Sequence, residues 1–269
     1  MNTELVEKAK NIKAIFFDID DTLRLKDKEF MPESVPKIFE QLKSAGYLTG
    51  IASGRAYYGI VPEVRALGAD FYVTINGQYV QTQLEKEVFA NPIPQETVET
   101  IVQWAKENGI ELAFVGSHDI AITSWNEYAE ASLPVVYGKV KEDADFYKNH
   151  RVFQLLTLSF DANALQLPES VQENVRLVKW HTHSNDIVPT SGSKANGISK
   201  VLEMIGLTKE NLLVFGDELN DLEMFEYAEI AVAMGVSHPE LQKLASFVTK
   251  NVEDHGIEDA LIQLGLIHS

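Results

Sequence analysis

The sequence predicts an α/β protein in which a doubly wound parallel sheet is interrupted by an inserted α+β domain. The first observation is that short apolar runs alternate with amphipathic helical stretches from Lys13 onward. The second is that this alternation gives way to longer extended segments after a turn at Asn76-Gly77. The third is that it resumes at Ile187, so the first domain is interrupted and then completed.

The part before the insert contains two strand and helix units and a third strand. Helices are predicted where apolar residues fall on one face at helical spacing and a glycine follows. Strands are predicted where short runs are rich in apolar residues. The predicted strands cover residues 14–17, 48–52 and 71–75, and the predicted helices cover residues 33–45 and 60–67.

The same patterns divide the rest of the chain into the insert and the second half of the core. In the insert, residues 98–105 mark a helix, and strands are predicted at 110–115, 152–159 and 175–180. The α/β pattern returns with helices at 194–205, 219–228 and 239–245 and strands at 212–215 and 230–232. We therefore expect a core domain of residues 1–82 and 186–269 and an insert of residues 83–185.

Composition restricts the class of function. Lys and Arg total 23 against 40 Asp and Glu, a formal net charge of −17, so neither nucleic acid nor a membrane is an expected partner. A phosphate site in such a chain needs local positive charge from a metal, a basic side chain or helix N-termini. The lack of cysteine excludes disulfides and a cysteine nucleophile. Since no apolar stretch suits a membrane span and the start lacks the apolar core of a secretion signal, we expect a cytoplasmic protein.

Two acidic clusters directly follow predicted strands. Asp18 and Asp20 come after strand 14–17, and Asp217 and Asp221 come after strand 212–215. Ligands of open α/β sheets bind at the carboxyl ends of the strands, so the clusters meet if these two strands are neighbours. Carboxylate oxygens without His or Cys favour Mg²⁺. Acidic residues after a strand also form turns and helix caps, and for either cluster alone that explanation is equally good.

Two further segments could bind phosphate. Ser53-Gly54-Arg55 follows the second predicted strand and offers a hydroxyl and backbone N–H groups, although a Ser-Gly turn that caps a helix explains it equally well. Lys194 opens a helix, where a cation opposes the helix dipole unless an anion is close by. Exposed lysines are usually solvated, so this position alone indicates little.

Taken in order, these segments resemble the four motifs of the haloacid dehalogenase-like superfamily of phosphohydrolases. The resemblance rests on residues 18–22 (Asp-Ile-Asp-Asp-Thr), 53–55, Lys194 and 216–221, and it spans nearly the whole chain. The large insert, and residues 75–77 (Ile-Asn-Gly) before it, are similar to the Cof-type subgroup, whose cap is of subclass IIB. The resemblance implies a Rossmann-like core with an inserted α+β cap that determines substrate specificity.

The resemblance also implies a role for each motif residue. Asp18 would be the nucleophile that forms an aspartyl phosphate, and Asp20 would be the general acid and base. Mg²⁺ would be held by Asp18, by the backbone carbonyl of Asp20 and by Asp217, with Asp221 behind these ligands. Ser53 and Lys194 would act with them in catalysis. The residues that would bind the phosphoryl group are Ser53, Gly54, Arg55, Lys194 and Asn220.

The prediction is therefore a Mg²⁺-dependent phosphatase for a small phosphorylated metabolite. Sugar phosphates are preferred as substrates over pyridoxal phosphate or flavin mononucleotide. In the insert, Trp180, His181 and His183 could contact a sugar, but an aromatic residue beside surface histidines explains them as well, and a zinc site lacks a third ligand. A phosphomutase with the same nucleophile and a catalytically silent binding protein are the alternatives. The sequence does not predict an oligomeric state.

Overall fold

The computed structural model of the protein describes residues 3–137 and 140–268, which form two compact units. The first unit contains residues 3–54, 60–90 and 193–268, and the second contains residues 55–59 and 91–192 within the described ranges. A bilayer-spanning helix, which needs about 20 apolar residues, is not found within these ranges.

Helices and strands alternate along the chain, with short 3₁₀ helices between several of them. The first segment contains α1 (Thr3–Ala9), β1 (Ala14–Phe17), α2 (Ser34–Ser44), β2 (Leu48–Ala52), α3 (Pro62–Arg65), β3 (Phe71–Thr74), β4 (Tyr79–Thr82) and β5 (Glu87–Ala90). The second unit contains α4 (Gln95–Glu107), β6 (Glu111–Val115), β7 (Ile120–Ile122), α5 (Glu127–Ser132), α6 (Pro134–Tyr137), β8 (Lys141–Glu142), α7 (Phe146–Asn149), β9 (Gln154–Leu158), β10 (Val175–His181) and β11 (Ser184–Pro189). The first unit is completed by α8 (Lys194–Ile205), β12 (Leu212–Gly216), α9 (Leu222–Tyr227), β13 (Ile230–Ala233), α10 (Pro239–Leu244), β14 (Phe247–Val248) and α11 (Gly256–Gln263).

The first unit is built on an eight-stranded sheet with the order β14-β13-β12-β1-β2-β3-β4-β5. The strands from β14 to β3 are parallel, β4 is antiparallel to β3, and β5 is antiparallel to β4. Phe17 of β1 lies opposite Phe215 of β12, and its ring also contacts Phe39 of α2. Phe16 points to the other face, where it shares a buried cluster with residues of α8 and α9. Because helices cover both faces, the structure confirms the predicted doubly wound α/β fold.

The second unit has its own six-stranded sheet with the order β10-β11-β9-β6-β7-β8. Its strands are antiparallel except β7 and β8, which are parallel. Leu112, Phe114 and Leu155 on one face of the sheet form a buried cluster with Val98 and Ile101 of α4. The insert is therefore an α+β structure, as predicted.

The boundaries between the two units lie at residues 90/91 and 192/193, whereas the predicted boundaries are 82/83 and 185/186. Residues 87–90 form β5, which pairs with β4 in the first sheet. Residues 186–189 belong to β11, which pairs with β10 and β9 in the second sheet. Both segments are extended and rich in apolar residues, so their periodicity does not show which sheet they join.

Candidate active site

Four of the predicted residues meet at the carboxyl ends of β1 and β12. The Nζ atom of Lys194 lies 2.6 Å from Asp18 Oδ1 and 2.6 Å from Asp221 Oδ1. Carboxylate oxygens of Asp18, Asp217 and Asp221 all lie within 4.8 Å of one another. All four side chains are buried. Since β1 and β12 are neighbours in the sheet, the two acidic clusters come together, as their positions after strands predict.

Lys194 is the first residue of α8, and its ammonium group is fully buried. The side chain of Ser193 caps this helix by accepting a hydrogen bond from Asn196 N. Burial lowers the pKa of Lys194, but the charges of Asp18 and Asp221 and the hydrogen bonds to them raise it above its ordinary value of 10.5. Lys194 is therefore positively charged at neutral pH and supplies the local positive charge that an acidic chain needs at a phosphate site.

Asp18 and Asp217 both have a raised pKa. Burial is the largest cause for Asp18 and raises its pKa to about 7, although the charge of Lys194 opposes the change. For Asp217, burial and then the charge of Asp18 raise the pKa to about 8, against the hydrogen bond from Thr22. Three carboxylates around one ammonium thus leave excess negative charge in a buried place, which a divalent cation would compensate.

The donor atoms fit a hard divalent cation such as Mg²⁺, because they are carboxylate oxygens with no His or Cys among them. The hydrogen bonds found for Asp18 and Asp217 within the described residues engage only Oδ1 of each, so each Oδ2 is left for a metal. Asp221 differs, since Oδ1 accepts from Lys194 and Oδ2 accepts from the backbone N–H groups of Asp217 and Glu218. Asp221 is therefore suited to holding Lys194 and this loop in place, as expected for a residue behind the ligands.

Asp20 lies at the edge of this cluster and is partly exposed. Its Oδ1 atom is 3.7 Å from Nη1 of the buried Arg24, and Arg24 also donates from Nε to Glu63 Oε1 at 2.8 Å. Asp20 thus reaches solvent, whereas Asp18 is buried. This suits the predicted work of a general acid and base.

Ser53, Gly54 and Asn220 all contact Asn76, which follows β3. The Ser53 side chain is buried, and its carbonyl oxygen accepts a hydrogen bond from Asn76 N at 3.0 Å. A Cβ atom added at Gly54 would lie 3.2 Å from Asn76 Oδ1, so the two residues are in close contact. Asn220 is exposed and donates from Nδ2 to Asn76 Oδ1 at 3.1 Å. Three residues predicted to bind phosphate are thus connected through one asparagine.

Arg55 is grouped with the second unit, apart from the other predicted phosphate ligands. Its Nη1 donates to the carbonyl oxygen of Gly59 at 3.1 Å within the same short segment. Its part in phosphate binding stays a prediction.

The sequence predicts no role for Thr22 or Asn76, although both belong to segments that carry the resemblance. Thr22 is fully buried and donates from Oγ1 to Asp217 Oδ1 at 2.8 Å. This hydrogen bond fixes a candidate metal ligand from the opposite acidic cluster. The position of Thr22 at the end of the first motif is the signal that could have identified it. For Asn76, the Asn-Gly pair indicates a turn and residues 75–77 resemble the Cof-type subgroup, but neither signal assigns a role to the side chain.

Three ring-bearing residues of the second unit, Trp180, His181 and His183, lie next to one another. The ring centroids of Trp180 and His181 are 5.6 Å apart, as are those of His181 and His183. The indole of Trp180 also makes a hydrogen bond to Asp186. In the part of the chain that the structure describes, the two histidines have no third ligand that would complete a zinc site.

Comparison with known proteins decides the family. The family model of haloacid dehalogenase-like hydrolases matches residues 15–261, a range that contains every predicted catalytic and metal-binding residue. The chain belongs to this family. The range that matches this haloacid dehalogenase-like hydrolase includes the four segments that carry the resemblance, and the roles of their residues stay predictions.

Two curated relatives of this hydrolase are named as candidate phosphatases. It is 48% identical over 267 residues to a candidate bifunctional phosphatase/peptidyl-prolyl cis-trans isomerase of Streptococcus pyogenes, and the match covers 99% of this chain and 57% of that protein. It is 35% identical over 263 residues to the candidate phosphatase YkrA of Bacillus subtilis, with 95% and 98% covered. The chain thus spans little more than half of the streptococcal protein and nearly all of the Bacillus protein.

Solved structures share the fold of this hydrolase over almost its whole length. A hypothetical protein from Geobacillus kaustophilus is 33% identical with a TM-score of 0.87, covering 95% of this chain and 100% of that one. A sugar phosphatase of haloacid dehalogenase subclass IIB is 27% identical with a TM-score of 0.78 and the same coverage. These comparisons confirm the predicted family and the predicted class of enzyme, a hydrolase acting on phosphate esters.

Proposed function

We propose that the chain is a Mg²⁺-dependent phosphatase that hydrolyses a small phosphorylated metabolite through an aspartyl phosphate on Asp18. The observation that carries this proposal is the contact of Asp18 with Lys194 beside Asp217. A carboxylate that attacks a phosphate ester must approach an anion, and nearby positive charge reduces the repulsion between them. Lys194 provides one such charge. A metal ion held by Asp18 and Asp217 would supply another, which would neutralise the phosphoryl oxygens.

Each residue of the site would have its own task. Asp18 forms a bond to phosphorus while the bond from phosphorus to the leaving alcohol breaks. Asp20 donates a proton to that alcohol and then takes one from the water that hydrolyses the aspartyl phosphate. The phosphoryl oxygens are bound by Lys194, Ser53, Gly54 and Asn220, with Arg55 as a further candidate.

The substrate that we favour is a sugar phosphate, and one of the similar solved structures belongs to a sugar phosphatase. The second unit is the proposed source of specificity, with Trp180 among its exposed aromatic residues. A reducing compartment such as the cytoplasm fits a chain without cysteine.

A panel of phosphate esters, assayed for free phosphate with and without Mg²⁺, tests this function. The panel contains sugar phosphates, pyridoxal phosphate and flavin mononucleotide. We expect Mg²⁺-dependent release from at least one ester and no release by Asp18→Asn, which loses the nucleophile with almost no change in volume. A melting curve checks that the variant is folded.

Three results would contradict the proposal. Release by Asp18→Asn at the wild-type rate would exclude the aspartyl phosphate. Transfer of phosphate to another hydroxyl of the substrate without release would identify a phosphomutase. A wild-type protein that acts on no ester of the panel would support a catalytically silent binding protein.

A further inference from the structure

The turn formed by residues 75–77 has an unusual backbone. Ile75 and Asn76 both have φ of 51°, and Gly77 has φ of 85°. The left-handed region is unfavourable for residues with a Cβ atom, most of all for a β-branched residue such as Ile75. Such a conformation persists only where the surrounding structure determines it, and it is common at functional sites.

Contacts on two sides hold this turn in place. On one side, Asn76 N donates to Ser53 O at 3.0 Å, and the Asn76 side chain lies against Gly54. On the other side, a Cβ atom added at Gly77 would lie 1.9 Å from Ser193 O and 3.2 Å from Lys194 N. The turn is therefore packed between the loop after β2 and the first residues of α8.

A third contact connects the turn to the loop after β12. Asn220 Nδ2 donates to Asn76 Oδ1 at 3.1 Å, and Asn220 is exposed. An exposed asparagine side chain loses conformational freedom when it binds a ligand, and a hydrogen bond that holds it beforehand reduces this cost. The left-handed backbone directs the Asn76 side chain toward both Gly54 and Asn220.

We propose that Asn76 is a positioning residue for phosphate binding that acts through Asn220. Its side chain orients the amide of Asn220, and its backbone fixes the loop of Ser53 relative to the start of the helix that carries Lys194. The proposal rests on the proposed function, because it assumes that Asn220, Ser53 and Lys194 bind a phosphoryl group. It adds a residue that does not itself touch the phosphate.

The test separates the side chain of Asn76 from its backbone. Asn76→Gly keeps a left-handed turn accessible and removes the side chain, which is the acceptor for Asn220 and also contacts Gly54. Glu85→Gly is the matched control, since Glu85 is an exposed residue with φ of 58° in another turn of the same unit. Calorimetry measures the binding of inorganic phosphate to the Mg²⁺-loaded protein, p-nitrophenyl phosphate reports kcat and KM, and melting curves report stability.

We expect Asn76→Gly to weaken phosphate binding about tenfold, the effect of losing one useful hydrogen bond. Glu85→Gly should bind phosphate as the wild type does. In the Asn220→Ala background, Asn76→Gly should have little further effect, because its partner is already absent. A double variant in which the two losses simply add would overturn the action through Asn220.

The outcomes also separate this proposal from the proposed function. Wild-type protein that binds phosphate and hydrolyses esters, with an Asn76→Gly variant that does both equally well, would overturn the role of Asn76 alone. Wild-type protein that neither binds phosphate nor hydrolyses any ester would overturn the proposed function and this inference together. A lower melting temperature with unchanged phosphate affinity would show that Asn76 has only a structural role.

Discussion

Lys194 and Asp18 form a buried ion pair in which Nζ lies 2.6 Å from Oδ1. The lysine side chain is 0% exposed and that of Asp18 is 10% exposed, so water contributes little to the solvation of either charge. Asp221 approaches the same ammonium at the same distance and is also fully buried. The structure of the site therefore depends on one cation that contacts two carboxylates from different strand ends.

Replacing this cation should reduce both activity and stability. In Lys194→Met, Asp18 and Asp221 lose their partner, and breaking a buried pair costs about 3–5 kcal/mol. We expect phosphatase activity to fall at least about 100-fold, because the phosphoryl oxygens also lose a positive charge. Ester hydrolysis measures the loss of activity. Urea unfolding of the metal-free protein measures the loss of stability.

Lys200→Met is the control for this variant. Lys200 is on the same helix and pairs with Glu203 at 2.9 Å, but both side chains are at least 36% exposed. An exposed pair contributes about 0–1 kcal/mol, so this variant should stay close to the wild type. Equal losses in the two variants would contradict the special role of Lys194.

Removing the hydroxyl of Thr22 should weaken metal binding. Thr22→Val keeps the shape of the side chain but loses the hydrogen bond to Asp217 Oδ1. The carboxylate is then less well oriented and harder to ionise, and loss of such a supporting contact costs about tenfold or more in metal affinity. Titration calorimetry with Mg²⁺ measures the change.

Thr49→Val provides a matched comparison for Thr22→Val. Thr49 is also buried and donates from Oγ1 to a carboxylate, Asp70, at 3.2 Å. That carboxylate is not part of the acidic cluster. Thr49→Val should therefore leave Mg²⁺ affinity unchanged, and a similar loss in both variants would argue against a direct effect on Asp217.

The pKa values of Asp18 and Asp217 predict how stability depends on pH and on Mg²⁺. In the folded, metal-free protein the pKa of Asp18 is about 7 and the pKa of Asp217 is about 8, whereas the ordinary pKa of an aspartate is 3.8. Between these limits the folded state binds more protons than the unfolded state, so their contribution to the free energy of unfolding falls as pH rises.

Mg²⁺ competes with protons for the same oxygens, so it should stabilise the protein more at about pH 8.5 than at about pH 5.5. Melting curves with Mg²⁺ and with a chelator at both pH values measure this difference. Asp217→Asn should reduce it. An equal gain in melting temperature at both pH values would show that these carboxyls do not bind the ion.

Gly77→Ala and Gly46→Ala distinguish backbone strain from steric conflict. The two glycines have φ of 85° and 83°, but an added Cβ meets Ser193 O at 1.9 Å only at Gly77, and nothing lies within 4 Å at Gly46. Gly46→Ala should cost about 1 kcal/mol of stability from strain alone. Gly77→Ala should cost at least about 3 kcal/mol, because backbone atoms must move. Denaturant unfolding measures both values, and similar costs would contradict the close packing of the turn on α8.

The strands that hold the acidic clusters could be predicted from the sequence. Residues 14–17 and 212–215 are compact apolar runs followed at once by aspartates, and the structure gives β1 and β12 nearly the same bounds. The prediction that the two acidic clusters meet assumed that these strands are neighbours in the sheet, and the sequence alone does not show this. Periodicity describes the side-chain pattern of each strand but not which strands pair.

The contacts that orient the side chains of the site could not be predicted from sequence patterns. The hydrogen bond from Thr22 to Asp217 joins residues that are 195 positions apart, so no local pattern indicates it. The left-handed conformation of Ile75 runs against the preference of that residue and is imposed by its tertiary neighbours. The predicted boundaries of the insert also differ from those of the second unit, because the extended segments 87–90 and 186–189 could join either sheet.

The central place of β1 has a consequence for how the chain reaches its native state. β1 pairs with β2 on one side and with β12 on the other, so one of its edges has no partner until the ribosome has made residues 212–216. Unpaired apolar edges promote aggregation, and pairings between distant segments form slowly. Nascent chains that stop before β12 should therefore need chaperones, and Asp18 should acquire its native surroundings only late in biogenesis.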